Sequence, residues 1–146
     1  MDRISAERRS ENMRRIRSKG MKPELRVRRL VHGMGYRYRL HYRSLPGRPD
    51  VVLPSLQCVI LVHGCFWHHH QSRRCKISRL PKSNRNYWLP KLKATNERDK
   101  LTVRRLRSLG WAVLVIWECE LGNEASLLVR LREFLDRSGS QSFRRE

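Results

Sequence analysis

Acidic residues are scarce in this chain. Asp and Glu number 13 against 33 Lys and Arg, a formal net charge of +20. That imbalance excludes a cationic partner and fits a polyanion. Arg, the more frequent base, suits bidentate contacts to phosphate. It also makes each carboxylate conspicuous. Long apolar runs are missing as well: none approaches the ~20 residues of a membrane span. No signal-peptide pattern opens the chain, so a cytoplasmic address and no membrane partner are expected. Cysteine is limited to 4 residues, and in a reducing compartment thiols hold metal more readily than they pair as disulfides. Internal repeats and domain-sized linkers are absent from the sequence. We therefore expect one domain over residues 1–137, opening with a basic helical segment in 1–20, and a disordered tail over 138–146.

The densest chemistry lies in residues 63–75, HGCFWHHHQSRRC. Cys65, His70 and Cys75 are evenly spaced, and Cys119 follows the last apolar strand. Thiolates and imidazole at such gaps suit a closed tetrahedral zinc site, with His69 as the alternative to His70. Cys58 sits inside an apolar run and reads as a buried thiol acting as a small hydrophobe. His63 and His68 are more than one zinc needs, and they become candidates for acid or base work. Asp50 begins a strand nearby, and a hard carboxylate suits Mg²⁺, which uses only one or two protein carboxylates. Glu24 opens a helix, where it could serve only the helix dipole. Phe66 and Trp67 occupy a polar loop, so exposure as wedges into a base stack is plausible, with Trp88 and Met13 as further candidates.

Periodicity supplies the elements. Residues 5–18 read as a basic helix. Pro23 opens a second helix with Leu25, Leu30, Val31 and Met34 as its apolar face. Tyr36 to Leu40 alternates like a strand with one wet face. Val51–Leu53, Gln57–Val62 and Trp111–Trp117 are further strands, the last two apolar enough for burial on both faces. Residues 84–109 read as helix broken near Pro90, with Leu101, Val103, Leu106 and Leu109 apolar. Residues 123–136 form a closing amphipathic helix. The fold class is α/β, three layers, a mixed sheet flanked by helices. Asp50, His63 and Glu118-Cys119 fall at strand ends, where open α/β sheets usually place their sites.

PGRPD (46–50), CVILVHGCFWHHH (58–70), PKSN (81–84), YW (87–88), ERD (97–99) and GWAVLVIWEC (110–119) resemble the very-short-patch mismatch repair endonucleases, the Vsr family. The likeness runs from about Ser10 to Leu121. It implies a restriction-endonuclease-like fold with structural Zn²⁺ on Cys65, His70, Cys75 and Cys119. It implies a Mg²⁺-dependent nick 5′ of the thymine in a T:G mismatch left by deamination of 5-methylcytosine. By position, Asp50 and the backbone carbonyl of Val62 bind Mg²⁺, and Glu24 supports the hydrated ion through water. His68, oriented by Asp99, activates the attacking water, and His63 assists at the phosphate or leaving oxygen. Phe66, Trp67 and Trp88 form the wedge beside the mismatch, with Met13 approaching from the other groove. Arg14 and Arg15 add phosphate affinity. Double-stranded DNA is the implied partner, the setting is the nucleoid, and a repair polymerase and ligase act on the product. A monomer suffices, because a single-strand nick needs one active site. Usual nucleases of this fold carry an acidic-x-Lys pair on the second strand, whereas this chain reads Val62-His63-Gly64 there. Two other readings stand beside this one: a zinc-stapled nuclease of the same fold with a different DNA site or lesion, and a non-catalytic DNA-binding module.

Overall fold

A computed structural model describes residues 22–145 apart from 41, 43, 69, 72–74 and 76–81. The helix expected at 5–18, with Met13, Arg14 and Arg15, lies outside the described residues, as does His69. Helix α1 spans Pro23–Gly33, with Pro23 in the first turn, where its missing N–H breaks no helical bond. Val27 and Val31 are fully buried, and Leu30 and Met34 pack beside them. Leu25, expected on this face, is exposed instead. The buried stripe therefore runs 27, 31, 34, a helical period that puts residue 25 on the outer side. Gly35 takes φ +93° and ends the helix.

The next segment differs from expectation. Tyr36 to Leu40 forms no strand, only a bridge in which Arg39 pairs with Val52. Arg39 N donates to Val52 O at 2.7 Å, and Val52 N donates to Arg39 O at 3.1 Å. The partner strand β1 is only Val51–Leu53, too short for a longer ladder. A 3-10 turn at Pro54–Leu56 reverses the chain, and Gln57 adopts φ 50° to close it. Strand β2 is therefore Cys58–His63, starting one residue later than the apolar run suggested and including His63. It lies antiparallel to β1, with Val51 opposite Ile60.

Helix α2, Arg85–Ser108, crosses over to strand β3, Ala112–Trp117. Strand β3 runs parallel to β2, with Cys58 opposite Ala112 and His63 opposite Trp117. The described sheet is mixed, in the order β1-β2-β3. Pro90 does not break α2. It stands in the second turn, where it removes only the bond to Asn86 O. A last 3-10 turn, Glu118–Gly122, leads into helix α3, Glu124–Arg145. The tail expected to be disordered from Ser138 continues this helix. Ser138 is buried, and its Oγ donates to Phe134 O at 2.9 Å.

Alternation along the strands separates two cores, as the pleat requires. Val51, Leu53, Cys58, Ile60 and Ile116 face α1 and α3, meeting Val27, Val31, Leu127, Leu131 and Leu135. Val52, Val59, Leu61 and Val113 face the other way, onto Leu106 of α2 and Leu45. Three layers result, as expected, with β2 buried on both sides. Leu101 and Leu109, assigned to the α2 face by periodicity, are exposed, whereas Leu92 is buried. Among the described residues, no helix is long and apolar enough to cross a membrane.

The loop carrying PGRPD is pressed onto α2. Gly47 has φ +73°, and a Cβ there would overlap Thr102 Cγ2. Both the left-handed backbone and the close approach require glycine. Gly47→Ala is expected to lower the unfolding free energy by about 2 kcal/mol or more, from αL strain and overlap together. Adding Thr102→Ser, which removes Cγ2, should recover part of that loss in denaturant titration. No recovery would mean that contact is not the cause.

Candidate active site and metal centre

Strand directions gather the chemistry. Because β1 opposes β2 and β3 parallels it, the start of β1 and the ends of β2 and β3 share one edge of the sheet. Asp50 stands just before β1, and its Oδ2 accepts a hydrogen bond from Val62 N at 2.9 Å. Burial raises the Asp50 pKa above the usual carboxylate range, against the Val62 bond, and the charge of Glu24 adds to the rise while Arg28 opposes it. Glu24 thus reaches this site electrostatically from the first turn of α1.

His63 ends β2 and is buried, 7% exposed. Burial, aided by the positive charge of His68, lowers its pKa to about 4, so it is neutral at pH 7. His68 follows in the turn after β2, held by His68 N donating to Gly64 O at 3.0 Å. The two imidazoles stack at 4.1 Å with 4° between planes. His68 Nδ1 meets Asp99 Oδ2 at 2.6 Å. That bond orients the ring and leaves Nε2 free of this partner. Asn96, one turn earlier on α2, donates from Nδ2 to His68 O at 3.3 Å and ties the turn to the helix. The ligand atoms of His63, His68 and Asp99 lie within 4.8 Å of one another, close enough to hold an ion. A cleft of about 250 Å³ joins Arg48, Asp50, Val62, His63, His68 and Asp99.

Beside it lies the second cluster. The ligand atoms of Cys65, His70, Cys75 and Cys119 all fall within 4.8 Å of one another. His70 Nδ1 is 3.7 Å from Cys65 Sγ and 3.5 Å from Cys119 Sγ. A tetrahedral ion with bonds of about 2.3 Å to sulfur and about 2.0 Å to nitrogen separates its ligand atoms by about 3.5–3.8 Å, so the donors fit. Cys119 N donates to Cys65 Sγ at 3.3 Å, a contact that favours thiolate. Burial raises the pKa of the Cys65 and Cys119 thiols and lowers that of His70. Cys58 is separate and buried, pushed up to about 11 by burial, as expected of an inert core thiol.

Phe66, Trp67 and Trp88 meet edge to face, with centroids 5.2 Å apart for Phe66–Trp67 and 5.5 Å for Phe66–Trp88. Trp67 is 61% exposed. Sequence reasoning left out Tyr87, which extends this group at 5.1 Å from Trp88. It also missed Trp117, whose indole stacks on His70 at 4.0 Å and presents an edge contact to His63 at 5.1 Å. The only available signal was its place two residues before Cys119.

The family model described as DNA mismatch endonuclease Vsr matches residues 1–74. A type II nicking enzyme, V.XorIIP, of Xanthomonas oryzae pv. oryzae is 50% identical over 94% of this chain and 98% of its own length. The DNA mismatch endonuclease Vsr of Escherichia coli is 41% identical over 92% of this chain and 87% of its own. A type II nicking enzyme, V.NmeAIP, of Neisseria meningitidis is 39% identical over 92% of this chain and 94% of its own. This chain belongs to the Vsr family. It is an enzyme, a DNA endonuclease.

The environment of Asp50 sets a test of this Vsr-family cleft. A carboxyl whose folded pKa lies above its unfolded value contributes stability below the unfolded pKa and loses it as pH rises through the folded one. Ionised Asp50 therefore opposes folding at neutral pH. Without added divalent cation, Asp50→Asn is expected to raise the melting temperature at pH 7 and to leave it unchanged near pH 3. An equal gain at both would exclude desolvation of the charge as the cause.

Proposed function

We propose that this Vsr-family enzyme nicks DNA on the 5′ side of the thymine in T:G mismatches left by deamination of 5-methylcytosine, and so starts very-short-patch repair. The observation that carries the reading is the convergence of Asp50, His63, His68 and Asp99 on one cleft beside an exposed aromatic cluster. Pure binding needs none of the four. The names of the relatives, mismatch endonuclease and nicking enzyme, point the same way.

The fold is taken as restriction-endonuclease-like. A buried carboxylate with a raised pKa, near a second acid, is the donor set of a hard cation. Asp50 and the Val62 carbonyl would hold Mg²⁺, with Glu24 reaching it through water. When bound, Mg²⁺ offsets charge developing on the phosphate. His68 takes the proton of the attacking water at Nε2, while Asp99 holds the ring by Nδ1. His63, neutral and stacked on His68, assists at the phosphate or leaving oxygen. Phe66, Trp67 and Trp88 enter the base stack, where a wobble pair gives way more readily than a Watson–Crick pair. Met13 would approach from the opposite groove, and Arg14 and Arg15 would grip phosphates. Cys65, His70, Cys75 and Cys119 would hold structural Zn²⁺, pinning the loop after β2 to the end of β3. The enzyme acts as a cytoplasmic, nucleoid-associated monomer, and a repair polymerase and ligase follow.

A strand-resolved nicking assay with Mg²⁺ tests the reading on T:G duplexes of varied flanks, with matched T:A and C:G controls. Cutting is expected only 5′ of the mismatched T. Asp50→Ala should cut at least ~10³-fold more slowly, the scale of a lost metal-assisted step, with DNA affinity retained. Cutting of matched duplex at the same rate would move the enzyme to another site or lesion. For the metal centre, Cys119→Ser should lose bound zinc and several degrees of melting temperature. Unchanged zinc content and an unchanged melt would reject that ligand.

A further inference from the structure

A second cleft, of about 440 Å³, opens beside the first and shares His63 and Asp99 with it. One wall is a single stripe of α2, in which Lys100, Val103, Arg104 and Arg107 follow Asp99 at helical spacing. From Asn96 to Arg107 that stripe is about 16 Å long, at 1.5 Å per residue. The other wall is Val115 and Trp117 of β3. Lys100, Arg104 and Arg107 are exposed, and none pairs with a carboxylate among the described residues. The one acid in the lining, Asp99, is engaged with His68. At the inner end stands buried His63, whose Nδ1 has no hydrogen-bond partner among the described residues. The cleft therefore combines a cationic rim, an apolar floor with an indole in it, and a polar inner end that opens on the cutting cleft.

We propose that this cleft holds a single strand of DNA leading away from the cut, its phosphates against Lys100, Arg104 and Arg107 and a base against Trp117. Tracks for single strands pair a basic groove with an aromatic surface in this way, and a duplex is too wide to enter. Charge alone would also suit an acidic peptide. Continuity with the cleft read as the cutting site favours DNA, and the proposal rests on that reading. A peptide adding as a strand to β3 is disfavoured, because Val115 O already accepts from Arg130 Nη2 at 3.2 Å.

The test uses the full chain without Mg²⁺ and a short fluorescein-labelled oligothymidylate, read by anisotropy over a salt series. Lys100→Gln/Arg104→Gln/Arg107→Gln is expected to weaken binding at least ~10-fold and to reduce the slope of log K against log salt by about 2, as loss of roughly three single-strand phosphate contacts requires. The oligonucleotide should quench tryptophan emission less in Trp117→Phe than in the wild type. A triple variant with unchanged affinity and slope would overturn the assignment. Equal weakening toward a blunt duplex would also overturn it, reducing the cleft to a general phosphate patch. Competition by polyglutamate as strong as by the oligonucleotide would replace DNA with an acidic protein partner. The assay needs no cutting: if the mismatch assay fails while the oligonucleotide still binds and the triple variant still loses it, the cutting reading alone falls.

Discussion

The hydrogen bond from Val62 N to Asp50 Oδ2 is the constraint on which the site depends. It is made between the start of one strand and the end of its antiparallel neighbour, so it exists only when Val51 pairs with Ile60. A slip of one residue would turn Asp50 and His63 to opposite faces and exchange the two cores. Register here is secured by burial, since Val51, Val52, Val59 and Ile60 are all fully enclosed. The bond has a second effect. It satisfies one carboxylate oxygen without neutralising the charge, while burial and the charge of Glu24 both work against ionisation of Asp50. A carboxylate whose charge is disfavoured by its surroundings favours any cation that can reach it.

The two clusters are physically continuous. His70 stacks on Trp117, Trp117 touches the edge of His63, His63 stacks on His68, and His68 bonds Asp99. Backbone ties reinforce the rings: His70 N bonds Cys65 O and His68 N bonds Gly64 O within one turn. Of His63, His68 and His70, none can therefore move without disturbing the other two. In a chain of this size, a metal on the four-ligand cluster would order the loop that carries both His68 and the aromatic group. That would be the physical sense of a metal staple beside the turn proposed to carry the chemistry.

Much of this was legible in the sequence, because the strong signals were local. The apolar strands around Val59 and Val113, Pro23 as a helix opener, and the Cys and His spacing each follow from a few neighbouring residues. The errors came where tertiary context decides. Tyr36 to Leu40 alternates like a strand, but its partner offers three residues and one bridge. Pro90 reads as a breaker, yet near the start of α2 it removes a single bond. Ser138 looks like the start of a polar tail, but its hydroxyl bonds back to Phe134 O and allows burial. Trp117 carried no functional pattern of its own. Its position between His63 and His70 follows from parallel pairing of β3 with β2, which no local window reveals.

The scarcity of acids and the use of histidine belong to one argument. Here burial and the adjacent His68 keep His63 neutral at physiological pH. With a net charge of +20, attraction to DNA is supplied by the whole surface, to which Arg48 and Arg98 add in the cleft itself. What the proposed chemistry needs is a base within reach of water and a carboxylate able to meet a cation. A neutral stacked imidazole beside a hydrogen-bonded one provides a base with little electrostatic work against the surrounding charge. Further fixed cations stand along α2, at Lys100, Arg104 and Arg107, where the proposed strand would meet them outside the chemistry.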